Sequence, residues 1–183
     1  MKSRITTRDG KLLSVRKLTR ADRLALQVFN DSLHPDSRRK FLPHRYDDAT
    51  LDKALTRSEE GLDLTLGVFD SDRIVGYFFL WCIGERIPLL GIGILDEFHR
   101  RGLGQQLTAI LIEEARNAGK EGIELTTMQD NDNAFALYQK MGFVCYGDVE
   151  NTVGDGSIVV ERALFYEIVP GAKPMQGQHG PPV

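Results

Sequence analysis

The 183-residue sequence predicts one α/β (α+β) domain built around a mixed, mostly antiparallel sheet. Three apolar runs at 62–69, 73–83 and 89–95 are separated by short turn segments, which indicates three successive antiparallel strands. A helical pattern of apolar residues over 103–115 then precedes a further strand-like run at 123–128. Because a helix connects these last two strands, we expect them to be parallel.

The composition is typical of a globular chain and argues against several classes of function. Apolar residues make up 42% and charged residues 27% of the sequence. The formal net charge of −3 gives no basic field, so we expect no nucleic-acid partner. No apolar run has membrane-spanning length and the first residues contain no signal-peptide run, so we expect no membrane contact and a cytoplasmic location.

The two cysteines, Cys82 and Cys145, lie in strand-like apolar runs without the spacing of metal ligands. We interpret them as reduced core residues, which agrees with a cytoplasmic location, and we expect no metal site. A disulfide between them is the less favoured alternative.

The first sixty residues predict a short strand and two helices. The strand is expected at 12–15, and a helix over 21–29 follows, capped by Thr19 or a neighbour and stopped before Pro35. The second helix is expected over 48–58, because apolar residues recur there at helical spacing.

The remaining elements are a helix and a closing hairpin. The helix at 131–143 has an Asn/Asp cap and ends at Gly142. One strand begins at 143–146, and the chain turns and returns over 157–169. The tail 170–183 contains four of the seven prolines, so we expect it to be disordered and the single domain to comprise residues 1–169.

A basic loop joins the strand at 89–95 to the following helix and carries the first functional signal. Gly102 and Gly104 let the backbone approach a ligand, and the free N–H groups of the helix's first turn face the same point. With Arg100 and Arg101 beside it, this N-terminus favours a phosphate or pyrophosphate.

Two common nucleotide motifs do not fit this loop. A Walker loop needs Gly-Lys followed by Ser or Thr, and the sequence contains no such tripeptide. A dinucleotide fingerprint needs its glycines at the start of the helix, whereas Gly91 and Gly93 lie inside the strand. Glycines there are consistent with a bulged or closely approached strand.

The loop resembles motif A of the GNAT family of N-acetyltransferases, [QR]xxGx[GA]. Gly102 and Gly104 match the motif, and Phe98 fills its usual aromatic position. His99 stands where the family has Gln or Arg, which is a departure from the motif.

A second stretch resembles motif B of the same family, NxxAxxLYxxxGF. All its fixed positions coincide, namely Asn131, Ala134, Leu137, Tyr138, Gly142 and Phe143. The resemblance covers residues 62–168 well. It implies the GNAT acyl-CoA N-acyltransferase fold, with helices on both faces of the sheet and a splayed parallel pair formed by 89–95 and 123–128.

The resemblance also implies acetyl-CoA as a cosubstrate and assigns residues to it. The pyrophosphate would be held by the loop residues Arg100, Arg101, Gly102, Gly104 and Gln105. Ile94 and Leu95 would offer backbone amides or carbonyls to the pantetheine arm, and Asn131 would contact the cofactor. Tyr138 would be the catalytic general acid that protonates the leaving thiolate.

The group that removes the acceptor's proton stays open at this point. Glu85, Asp96 and Asp130 lie near strand ends that border the expected cleft, and a water relay is the remaining alternative. Leu89 and Leu90 occupy the strand where many members of the resembled family carry a catalytic carboxylate.

These features predict an N-acetyltransferase that acts on a primary amine, of a small molecule or a protein, by direct attack in a ternary complex. The alternative is a non-catalytic acyl-CoA-binding regulatory module of the same fold. The basic segment 37–41 is interpreted as a solvated connection, with contact to acceptor or CoA as the alternative. We also expect a homodimer, because an exposed closing strand can pair with another subunit.

Overall fold

The computed structural model describes residues 2–175 and 182–183, which contain one eight-stranded sheet. The strands are β1 (Lys2–Thr6), β2 (Leu12–Lys17), β3 (Leu64–Asp70), β4 (Arg73–Trp81), β5 (Leu89–Ile94), β6 (Gly122–Met128), β7 (Val144–Thr152) and β8 (Ile158–Glu167). The α-helices are α1 (Arg23–Asp31), α2 (Pro35–Lys40), α3 (Asp48–Glu59), α4 (Leu103–Asn117) and α5 (Asp132–Lys140).

The strand order confirms the predicted mixed, mostly antiparallel sheet. The order is β1-β2-β3-β4-β5-β6-β8-β7, and every neighbouring pair is antiparallel except β5 with β6. Over the described residues, β5 and β6 pair only at Leu89 and Glu124, so they diverge towards their carboxyl ends. This divergence, which we call the gap, leaves an unpaired strand edge in the middle of the sheet.

Helices cover both faces of the sheet. Tyr77 and Phe78 are successive residues of β4, so they point to opposite faces, and both are completely buried. Phe29 of α1 packs against Tyr77 with the ring centroids 6.3 Å apart. Helix α4 contacts β4, β5 and β6 and buries Leu107 and Leu111 completely.

Two elements near the N-terminus differ from the sequence prediction. The sequence does not predict β1, whose only buried apolar side chain, Ile5, gives no pattern. Helix α2 replaces the expected connecting segment, although none of its residues is buried. Pro35 lies in its first turn, and Asp36 pairs with Arg39 and Lys40 at helical spacing, which stabilises the helix.

The cysteines and the start of the C-terminal tail differ in burial from one another. Cys82 is half-buried but Cys145 is exposed, so the prediction that Cys145 is a core residue is wrong; both thiols are free. Beyond β8, Ala172 is buried in a small apolar cluster with Ile87 and Phe165. Residues 176–181 of the tail lie outside the described residues, and disorder there stays a prediction.

In the ranges that the structure describes, no helix combines the length and apolarity needed to cross a lipid bilayer.

Candidate active site

The loop between β5 and α4 directs backbone donors towards one point. Gly102 caps α4 with a φ of +82°, in the left-handed region that glycine adopts without strain. Arg100 also has a positive φ, +58°. After these two reversals α4 begins, and the N–H groups of its first turn, which includes the exposed Gln105, have no acceptor within the helix. This geometry favours an anion.

Three arginines lie in the loop or beside it. Arg100 is exposed, and no side-chain partner is found for it among the described residues. Arg101 donates to Asp9 at 2.9 Å. Arg8, from the β1–β2 turn, donates its N–H to the carbonyl of Arg101 at 2.9 Å, and its Cγ would lie 3.1 Å from a Cβ placed at Gly102. Arg8 has no sequence signal, because its position depends on the unpredicted hairpin.

The edge of β5 that faces the gap carries the backbone groups of Ile92 and Ile94. The N–H of Leu95 donates to the carbonyl of Val75 in β4 at 3.0 Å, and the carbonyl of Leu95 accepts from Phe98 at 2.8 Å. The backbone groups of successive residues in a strand point to opposite edges. Since those of Leu95 point to β4, those of Ile92 and Ile94 point away from β4 and towards β6. The backbone groups of Ile94 therefore point towards the gap, where its carbonyl meets the ring of His99, whereas both backbone groups of Leu95 are bonded within the main chain.

Two side chains near the end of β5 have structural partners. Nε2 of His99 donates to the carbonyl of Ile94 at 2.8 Å. Asp96 accepts hydrogen bonds from the hydroxyl of Ser37 and the backbone N–H of His34, which ties α2 to β5. Burial alone would raise the pKa of Asp96, but these donors outweigh it and lower the pKa. Asp96 is therefore a weak candidate for the base.

Helix α5 carries the two candidate residues of the second motif. Asn131 is the N-cap residue, but its side chain makes no capping hydrogen bond. Tyr138 is 6% exposed and packs against Phe143 with the ring centroids 5.6 Å apart. Burial raises the pKa of Tyr138 above the usual value of 10.0, so its phenol is protonated at neutral pH. Gly104 lets α4 and α5 meet, because a Cβ there would be 2.8 Å from Leu137.

A cavity of about 100 Å³ lies where β5 and β6 separate. It is lined by residues 89–91 of β5, 125–126 of β6, and Phe79 and Trp81 of β4. The rings of Phe79 and Trp81 stack with centroids 4.1 Å apart and form an apolar wall. Gly91 makes room for this wall, since a Cβ would lie 2.1 Å from the Phe79 ring. β5 is thus closely approached at Gly91, as predicted, and the approaching group is the ring of Phe79.

One acidic side chain lines this cavity, and the sequence does not single it out. Glu161 of β8 is 6% exposed, and its Oε2 accepts from Nδ2 of Asn151 at 2.9 Å. Its apolar neighbours Ile158 and Val160 are 70% and 48% exposed. At this end of β8 the apolar residues are exposed and Glu161 is buried. The apolar pattern of the sequence therefore predicts the wrong buried face here and gives no sign of Glu161.

The other predicted bases lie outside the lining of this cavity. Asp130 forms an ion pair with Arg39, which lowers the pKa of Asp130. Glu85 is exposed in the turn between β4 and β5. Arg39, Lys40 and Phe41 of the basic segment do line the cavity, so this segment is more than a solvated connection.

The closing hairpin and the α2–α3 loop form a roof over the same region. The N–H of Gly154 donates to the carbonyl of Leu42 at 2.9 Å, and a Cβ at Gly154 would lie 2.4 Å from the carbonyl carbon of His44. His44 donates from Nδ1 to the carbonyl of Arg45 at 2.7 Å, so its Nε2 accepts from the hydroxyl of Tyr77 at 3.0 Å. Burial lowers the pKa of His44 from 6.5 to about 4.

Comparison with known proteins identifies the class. Residues 26–143 match the Acetyltransferase (GNAT) family, and the chain belongs to this family.

Individual relatives agree with this assignment. The ribosomal protein bS18-alanine N-acetyltransferase of Salmonella typhimurium is 31% identical over 80 residues, which are 44% of this chain and 54% of the relative. The spermidine N(1)-acetyltransferase of Thermoplasma acidophilum is 28% identical over 126 residues, which are 67% of this chain and 74% of the relative. For three of the curated relatives, the chain spans between 30% and 54% of their own length.

The fold has counterparts among solved structures. The ribosomal-protein-S5-alanine acetyltransferase of Vibrio fischeri superposes with a TM-score of 0.74 at 14% identity, covering 95% of this chain and 100% of that one. At this identity the likeness concerns the fold.

Proposed function

We propose that this protein transfers an acetyl group from acetyl-CoA to a primary amine by direct attack in a ternary complex. The observation that carries the proposal is the gap between β5 and β6, which connects an anion-binding loop with a cavity. A thioester on a long, amide-containing, diphosphate-bearing carrier suits this arrangement. Its charged end would meet the first-turn N–H groups of α4, and its arm would meet the open edge of β5. Membership of the GNAT family supports the same activity.

The residues around the gap fit acetyl-CoA. For the diphosphate we propose the loop and its neighbours, namely Arg8, Arg100, Arg101, Gly102, Gly104 and Gln105. The first-turn amides would supply oriented donors, and the arginines would supply charge-assisted hydrogen bonds. Arg101 already pairs with Asp9, so we expect Arg100 and Arg8 to contribute more charge than Arg101.

The arm of acetyl-CoA would lie along the open edge of β5. We propose that Ile92 and Ile94 contact it through backbone groups, in place of the initially predicted pair that included Leu95. The carboxamide of Asn131, which is not used for helix capping, is proposed to contact the cofactor from the other side of the gap.

Tyr138 is proposed as the general acid for the departing thiolate. Its phenol is protonated at neutral pH because burial raises its pKa. A protonated donor is needed because a free thiol has a pKa of about 8.5 and leaves as a thiolate.

The acceptor belongs to the primary amines. The relatives named above act on a ribosomal-protein alanine and on spermidine, so amines of both proteins and small molecules occur among them. We propose a cytoplasmic protein that forms a homodimer through a sheet edge. The edge available in the closing hairpin is β7, because β8 lies between β6 and β7.

The proposal is tested by a thiol-release assay with acetyl-CoA and a panel of alkylamines, amino acids and peptide N-termini. We expect thiol release that requires both the protein and an amine, with acetylated amine detected by mass spectrometry. Binding of acetyl-CoA, seen as a raised melting temperature, without turnover on any acceptor would favour the non-catalytic module instead.

A further inference from the structure

The carboxylate of Glu161 is buried in the cavity without a cation. Its Oε2 accepts one hydrogen bond, from the neutral side chain of Asn151. No donor to its Oε1 is found among the described residues, and this atom is not among the fully buried unpartnered ones. A charge held in a largely buried site is costly unless it is paired. A cation that enters the cavity would supply the partner that Glu161 lacks.

The two basic residues of the cavity lining do not supply this cation. Arg39 forms ion pairs with Asp36 and Asp130, and Lys40 forms one with Asp36. These four charges balance one another at the rim. The described residues therefore offer Glu161 no basic partner of its own.

The rest of the cavity suits the carbon chain that would carry such a cation. Phe79 and Trp81 present stacked rings, and Leu90 adds an aliphatic surface. Aromatic faces attract an ammonium group as well as the alkyl chain next to it. A volume of about 100 Å³ accommodates the end of a slender, unbranched chain.

We propose that Glu161 binds the ammonium group of the acceptor and takes the proton that this group must lose before it attacks acetyl-CoA. The acceptor class is a primary amine at the end of an unbranched aliphatic chain. The inference rests on the proposed acetyl transfer, and it replaces Glu85, Asp96, Asp130 and a water relay as the candidate for the base.

The acceptor enters in its protonated form, R–NH₃⁺. One proton passes to the Glu161 carboxylate, which leaves R–NH₂ with a free electron pair. That pair forms the C–N bond to the thioester carbonyl carbon, and the C–S bond breaks with its electrons going to sulfur. Tyr138 donates its proton to the sulfur. The nitrogen then releases a second proton, which restores the phenol of Tyr138. Glu161 returns its proton to water, and the products are R–NH–acetyl and the free thiol.

The catalytic test is the Glu161→Gln variant, which keeps the size of the side chain and its contact with Asn151. We expect kcat/KM for an alkylamine at pH 7 to fall by about a hundredfold or more, with the affinity for acetyl-CoA unchanged. With O-methylhydroxylamine, whose nitrogen is neutral at this pH, kcat/KM should fall much less. Equal losses for both acceptors would show a merely structural effect and overturn the proposal. The matched control is Glu150→Gln, an exposed glutamate of β7 that should behave like the wild type.

A binding test separates this inference from the proposed function. n-Butylammonium chloride is titrated into the protein–CoA complex and followed by chemical-shift changes in NMR spectra. We expect the Glu161→Gln variant to bind at least about tenfold more weakly than the wild type and Glu150→Gln, which corresponds to the loss of one charge-assisted contact. Equal binding, or no binding by the wild type, overturns the role of Glu161. Absence of turnover with intact, Glu161-dependent binding would instead overturn the proposed acetyl transfer.

Discussion

Tyr138 has a protonated phenol in a buried position, and this gives its proposed role a specific signature. The Tyr138→Phe variant removes the hydroxyl and keeps the ring that packs on Phe143. We expect kcat to fall by about a hundredfold, since general acid catalysis contributes at least that much, while the dissociation constant of acetyl-CoA changes less than about twofold. Steady-state kinetics and calorimetric titration with acetyl-CoA measure the two quantities.

Tyr166 supplies the matched control for this substitution. Its hydroxyl accepts a hydrogen bond from Arg116 at 2.7 Å at a site away from the gap. Tyr166→Phe should therefore leave kcat unchanged. If Tyr138→Phe weakened acetyl-CoA binding as much as it lowered kcat, Tyr138 would be a binding residue and not a general acid.

Single residues differ in how far the sequence reveals them. The sequence singles out Gly102 and Tyr138 as candidates because each belongs to a motif with fixed spacing. Ile92 becomes a candidate only with the structure, because the direction of its backbone groups depends on which residues of β5 pair with β4. Arg8 and Glu161 also become candidates only with the structure, because strand pairing across the sheet places them and no local sequence pattern records it.

At the scale of the element, the turn into α4 is the most demanding local structure. Gly102→Ala places a Cβ at a φ of +82°, which strains the loop, and 3.1 Å from the side chain of Arg8, which must move aside. We expect the free energy of unfolding to fall by about 1 kcal/mol and acetyl-CoA affinity to fall about tenfold or more, because displaced amides lose charge-assisted hydrogen bonds. Chemical denaturation and calorimetry measure both effects.

Gly119, at the other end of α4, separates these two effects. It also has a positive φ, +68°, but a Cβ there meets no atom within 4 Å. Gly119→Ala should cost similar stability and leave acetyl-CoA affinity unchanged. Similar affinity losses in both variants would contradict the assignment of the loop to diphosphate binding.

The tip of the closing hairpin is a second element with a testable role. Gly154→Ala would force a Cβ to within 2.4 Å of the backbone of His44, so the roof of the cavity must lift. We expect a several-fold higher KM for the amine and a nearly unchanged affinity for acetyl-CoA. Gly156→Ala in the same turn, where a Cβ meets nothing within 4 Å, should alter stability only. An unchanged KM in Gly154→Ala would mean that the roof does not shape the acceptor site.

Elements are predictable from the sequence where a periodic pattern coincides with a cap or a turn. Helix α4 and the β3–β4 hairpin satisfy this condition, and both are confirmed. Helix α2 fails it, because its six residues bury nothing and its stability comes from Pro35 and from ion pairs. β1 also fails it, since its pairing with β2 is a property of the sheet rather than of five residues.

At the scale of the whole molecule, the gap divides the sheet into two parts. The strands β1–β5 and β6–β8 meet through a single paired position, so other contacts must join them. Helix α4 packs on strands of both parts, and the roof connects the hairpin tip with the α2–α3 loop. His44 is the centre of the roof, because it contacts Gly154 on one side and Tyr77 on the other.

This arrangement makes global stability depend on pH through His44. Its pKa is about 4 in the folded protein and 6.5 ordinarily, so between these values the unfolded chain binds a proton that the folded chain does not. The free energy of unfolding should therefore decrease as the pH falls below 6.5, by about 2 kcal/mol between pH 7 and pH 5. Urea denaturation at the two pH values measures the change.

The His44→Gln variant identifies the source of this pH dependence. Glutamine does not titrate but keeps an oxygen that can accept the hydroxyl hydrogen bond of Tyr77. The variant should be less stable than the wild type at pH 7, and its free energy of unfolding should decrease little further at pH 5. Carboxylates contribute little in this interval, because their ordinary pKa values of 3.8 to 4.5 lie below it. The exposed His34, changed to glutamine, should leave the wild-type dependence intact. If His44→Gln lost as much stability between pH 7 and pH 5 as the wild type, the roof would not depend on a neutral His44, and the two parts of the sheet would be held together chiefly by α4.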